Sequence, residues 1–77
     1  MSKSIHSVEQ ERLRALLIRK RREAGLTQDQ LARRLGVYQS FVSKYETGER
    51  RLDVFELATI AEAMGLDPVE MLREVRG

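Results

Sequence analysis

The chain has no cysteine and no tryptophan, a single histidine and a single proline among 77 residues, and only 5% of it is aromatic. Without cysteine there is neither a disulfide framework nor a thiolate metal site, and an intracellular setting is the simpler expectation. The one histidine, His6, falls in the polar segment 1–6, which has no repeat period and is expected to be a flexible N-terminus, so it receives no role as ligand or base. No apolar run approaches the roughly 18 residues that a membrane span requires, and the N-terminus lacks the apolar core of a secretion signal. A cytoplasmic protein with no membrane partner is therefore expected. Acidic clusters at metal spacing and glycine-rich phosphate loops are also missing, and Ser43 beside Lys44 reads as two neighbours on a helix rather than a nucleophile with its base. These absences argue against an enzyme and leave no cofactor and no metal to expect.

What is present is charge, unevenly placed. The net charge is only +2, but residues 1–51 carry 12 basic and 6 acidic side chains, a net +6, whereas 52–77 carry 2 and 6, a net −4. A basic part and an acidic part suit a molecule that turns one side to phosphate. With 77 residues the chain makes one small domain, which buries only about 60% of its unfolded surface, so its stability should be modest.

The apolar pattern is helical throughout. Ser7 with Gln10 can cap a first helix running through Ala24, in which Leu13, Leu16, Leu17, Lys20 and Ala24 share one stripe. Lys20 is read as a boundary residue whose methylenes cover apolar surface while the ammonium reaches water. The basic run 19–22 splays around the helix and cannot face a single partner. Thr27 with Gln30 is a capping box flanked by Leu26 and Leu31 at the staple positions, so a second helix starts at Gln28 and ends at Gly36. A third helix over 39–46 turns Val42 and Tyr45 inward and leaves Gln39, Ser40, Ser43 and Lys44 outside. After a turn over 47–51, Asp53 with Glu56 caps a fourth helix whose stripe is Leu57, Ile60, Ala61 and Met64. A fifth opens with Leu66 as staple, Asp67 as cap, Pro68 at the first helical position and Glu70 as capping-box partner. Its apolar residues spread more widely than a small core needs, so some should be left for a partner.

Ala32, Gly36 and Val42 stand at the small, turn and apolar positions of a helix-turn-helix. Together with TQDQLA, QSFVSKYE and GERR they make the chain resemble the lambda-repressor-like, Xre-type DNA-binding family over about residues 13–72. The resemblance implies an all-α, compact five-helix domain over 7–77, with the helix-turn-helix formed by the second and third helices. It implies a sequence-specific transcriptional regulator that reads a palindromic operator in double-stranded DNA through the major groove. Gln39, Ser40, Ser43 and Lys44 are then the base readers, and Gln28, Tyr38, Arg50 and Arg51 meet phosphates. Tyr38 departs from the small hydroxyl residue often found there. Arg21 and Glu46 correspond to a structural ion pair of the family, and a homodimer is expected through Met71, Leu72 and Val75. The size is similar to that of small stand-alone repressors and restriction-modification controller proteins, with no room expected for a small-molecule effector domain. The alternative is an antitoxin-like protein-interaction module that also binds DNA.

Overall fold

A computed structural model describes residues 8–77, so the segment 1–6 and Ser7, expected as a cap, lie outside the described residues. Five helices follow in order: α1 (Val8–Glu23), α2 (Gln28–Leu35), α3 (Gln39–Thr47), α4 (Val54–Ala63) and α5 (Pro68–Arg76). The architecture is all-α, and among the described residues no helix is long and apolar enough to cross a membrane.

Local signals account for most helix boundaries. The Thr27 hydroxyl accepts the N–H of Gln30 at 3.0 Å while Gln30 Oε1 accepts the N–H of Thr27 at 2.9 Å, closing the capping box that starts α2. Asp53 and Glu56 do the same for α4. Two helix ends and one cap differ from the sequence reading, the smaller change being at α3, which runs one residue further, to Thr47. α1 stops at Glu23, with Ala24 exposed in the turn, because the N–H groups of Gly25 and Leu26 fold back onto the carbonyls of Arg22 and Arg21 and terminate the helix there. At α5 the Asp67 carboxylate caps Val69, at 2.9 Å, and Glu70 lies 3.6 Å from Arg73, so the reciprocal half of the capping box is replaced by a surface ion pair.

The core is filled by one stripe from each helix. Leu17, Leu31, Val42, Tyr45, Ile60 and Met71 are its largest fully buried members. α1 packs on α3 and α5, α2 on α3 and α4, and α4 on α5, so the two central helices are held from both ends of the chain. Met71 and Val75 are 2% and 5% exposed, because α5 needs both to close this core against α1 and α4. The outward apolar surface of α5 is instead Leu72 and Val69, at 39% and 57% exposed. Of the three residues expected at a dimer contact, two are thus inside the monomer. Lys20 is half-buried and sends its ammonium to Glu74 of α5 at 3.5 Å, a snorkelling lysine whose head finds a carboxylate.

Candidate nucleic-acid interface

The turn between α2 and α3 is built on Gly36. It sits at φ 72°, where the N–H groups of Gly36 and Val37 reach back to the carbonyls of Arg33 and Ala32 at 3.2 and 3.0 Å. A Cβ at Gly36 would meet nothing within 4 Å, so the position demands glycine for its backbone alone. Past the turn, fully buried Ala32 lets α3 lie close, and Val42 and Tyr45 fix which face of α3 turns inward. Tyr45 packs edge-on against Phe41, centroids 5.8 Å apart. Its hydroxyl is buried with no hydrogen-bond partner among the described residues, and burial pushes its pKa well above the ordinary tyrosine value.

The opposite face of α3 carries Gln39, Ser40 and Lys44 exposed and Ser43 half-buried. Tyr38 is the N-cap, with extended backbone and no side-chain capping bond, and the residue is 86% exposed. The first N–H groups of α3 are therefore not covered by a cap side chain, as they would be with a serine or threonine at this position.

Behind this face lies a hydrogen-bonded chain that begins in the core. Arg21, on α1, holds Glu46, on α3, with two parallel bonds, Nε to Oε2 at 2.7 Å and Nη2 to Oε1 at 3.1 Å. Its remaining nitrogen, Nη1, donates to the carbonyl of Leu26 at 2.7 Å, so the arginine ties together α1, the turn before α2, and α3. Both side chains are buried, and the bond to Glu46 raises the arginine's pKa further. Glu46 Oε1 also accepts from Gln28 Nε2 at 2.8 Å, and Gln28 Oε1 in turn accepts from Gln39 Nε2. Gln28, expected to offer its amide to phosphate, thus has both polar atoms engaged within the protein. The reason is its place at the start of α2, directly between the carboxylate and the first residue of α3. The family resemblance anticipated the first link, between Arg21 and Glu46, whereas the two made by Gln28 join residues 18 and 11 positions apart and were not legible in the sequence.

Arg50, expected on a phosphate, is also engaged. Its guanidinium pairs with Glu56, lies 4.7 Å over the Phe41 ring, and donates to the carbonyl of Arg51 at 2.8 Å. Glu56 is drawn to it because the capping box already holds that carboxylate at the start of α4. Arg50 therefore bolts the loop to α3 and α4, whereas Arg51 is exposed and its guanidinium has no partner among the described residues. Lys44 is likewise exposed and unpaired. Sequence reasoning also missed Arg34, which donates to the Ala63 carbonyl at 3.0 Å and so joins α2 to the end of α4.

The chain is similar to several known proteins. A family model described as helix-turn-helix matches residues 17–71. An uncharacterized HTH-type transcriptional regulator, y4dJ, of Sinorhizobium fredii is 41% identical over 54 residues, 70% of this chain and 70% of that protein. Among solved structures, an XRE-family like protein from Pseudomonas syringae pv. tomato is 45% identical with a TM-score of 0.90, covering 97% of this chain and 92% of that one. The clp gene regulator ClgR from Corynebacterium glutamicum is 28% identical with a TM-score of 0.81, covering 92% of this chain and 76% of that one.

Proposed function

Since the chain belongs to the Xre-type helix-turn-helix family of DNA-binding transcriptional regulators, we propose that it lays α3 in the major groove and reads a palindromic operator as a homodimer. The observation that carries this reading is the outer face of α3, where Gln39, Ser40 and Lys44 are exposed on a surface that the core does not need. Gln39 and Ser40, at the start of the helix, are the base readers, with Ser43 and Lys44 one turn further along the same side. Arg51, the uncapped end of α3 and Tyr38 beside it meet the phosphates. Gln28 supports the readers from behind. A palindromic site asks for two recognition helices about 34 Å apart, one helical turn of DNA, and Leu72, with Val69 three residues before it, is the apolar surface of α5 open to a two-fold contact. Residues 8–77 then act as a single DNA-binding domain, with no catalytic group and no cofactor in the mechanism.

The test is selection of binding sites from random duplex DNA, followed by titration at several salt concentrations. A palindromic site should emerge, and affinity should fall by about 10³-fold between ~50 and ~200 mM salt as phosphate contacts release counterions. Salt-insensitive binding, or none to any DNA, would refute the proposal.

A further inference from the structure

The chain Arg21, Glu46, Gln28 and Gln39 has a direction that its chemistry forces. A carboxylate can only accept, so Gln28 must turn its Nε2 toward Glu46. With Nε2 inward, its Oε1 is the atom left facing α3, and an oxygen can only accept. Gln39 must therefore offer Nε2 to Gln28. One N–H of Gln39 is occupied in this way, and what remains for an outside partner is the other N–H and Oε1, one donor and one acceptor in a fixed order. Arg21 donates to both oxygens of the carboxylate and so fixes it beside Gln28, where either oxygen presents only an acceptor.

We infer that the Arg21–Glu46 ion pair sets the base preference of Gln39 through Gln28, so that Gln39 selects adenine and rejects guanine although neither Arg21 nor Glu46 touches DNA. The inference rests on the reading of α3 as the recognition helix. In the major groove adenine presents an acceptor at N7 and a donor at N6, which the remaining N–H and Oε1 of Gln39 complement. Guanine presents acceptors at both N7 and O6. A glutamine free to turn can direct both hydrogens of its amide nitrogen at those two acceptors. Gln39 lacks that freedom, because one of the two is held by Gln28. Gln28 and Glu46 are thus positioning residues, and the polarity of the buried pair becomes a specificity determinant.

The experiment starts with Gln39→Ala, which locates the base pair where preference flattens. At that base pair the wild-type protein should favour A·T over G·C by about 10-fold or more, as a good bidentate contact does. Gln28→Met leaves the Arg21–Glu46 pair intact and removes the relay, and the preference should fall to about 3-fold or less with Gln39 unchanged. The double variant Arg21→Glu/Glu46→Arg places a donor-only group beside Gln28. Its amide should then turn over, offer Nε2 to Gln39, draw Oε1 of Gln39 inward and leave both of its N–H groups outward, so the preference should invert toward G·C. A readout independent of DNA is the 15N relaxation of the Gln39 side-chain amide in the free protein, ordered in the wild type and mobile in Gln28→Met. If Gln28→Met weakens all sequences alike and keeps the wild-type preference, or if the Gln39 amide is already mobile in the wild type, the relay is overturned. A folded double variant that still favours A·T overturns it too. Should Gln39→Ala flatten no position, the base-reading role itself falls and the inference falls with it, an outcome distinct from failure of the relay alone. If the double variant does not fold, Gln28→Met and the relaxation measurement decide.

Discussion

Tyr45 is the largest fully buried side chain among the described residues, and its hydroxyl has no hydrogen-bond partner among them. Its ring fills the space between α3 and α1, and the hydroxyl is carried inward because the ring must be. Removing that oxygen breaks no hydrogen bond among the described residues, so Tyr45→Phe should leave stability at neutral pH unchanged or raise it by about 1 kcal/mol. The pH dependence has a definite sign. The folded-state pKa is raised by burial, while the unfolded chain ionises near the ordinary value of about 10, so the stability tied to the neutral hydroxyl is complete below ~pH 10 and is lost above it. Thermal melts between pH 7 and 11 should show wild type losing stability faster than Tyr45→Phe on the alkaline side. Parallel curves would show that Tyr45 ionises as easily folded as unfolded.

At the scale of the helices, the join between α1, α2 and α3 depends on one carboxylate. Glu46 takes two bonds from Arg21 and one from Gln28, and its side chain is 4% exposed. A buried pair of this kind is weak evidence of net stabilisation, but deleting one partner strands the other charge at a cost of about 3–5 kcal/mol. Glu49, in the turn after α3, is exposed and has no partner among the described residues. Glu46→Ala should therefore lower the melting temperature by more than about 10 °C, given roughly 4–8 °C per kcal/mol in a domain of this size, while Glu49→Ala should move it by little. Equal melting temperatures for the two variants would remove the clamp from the account. The surface ion pairs, such as Arg33 with Asp29, belong to another class and contribute only about 0–1 kcal/mol each.

For the whole molecule, the proposed homodimer needs an apolar surface that the monomer core leaves over. α5 uses Met71 and Val75 to complete its own core, so the apolar surface it has left is Leu72 with Val69. A two-fold contact there brings each residue near its symmetry mate. Sedimentation at micromolar concentration should give a dimer for the wild type and a monomer for Leu72→Asp, with helical content unchanged in both. Wild type that stays monomeric with and without DNA would exclude the dimer. Charge is also a property of the whole: the C-terminal acids Glu70 and Glu74 are engaged by Arg73, Arg19 and Lys20, while Lys44 on α3 and Arg51 in the loop after it have no ion-pair partner among the described residues.

What the sequence determined by itself is whatever depends on neighbours within about four positions. Thr27 with Gln30, Asp53 with Glu56, Gly36 at the turn and the apolar stripes carry their own geometry, because a helix places residues three and four apart on one face and its ends need partners close at hand. Hence the five helices, the face of α3 turned outward and the family resemblance were legible before any coordinates. The engagement of Gln28 and Arg50, the inward turn of Met71 and Val75, and the chain from Arg21 to Gln39 were decided only by the packing of α1, α4 and α5 around the turn. Whether a polar side chain is free to meet a partner or already satisfied is set by groups distant in sequence, and the amide order at Gln39 is fixed by an acceptor-only carboxylate seven residues further along α3, acting through a residue of α2.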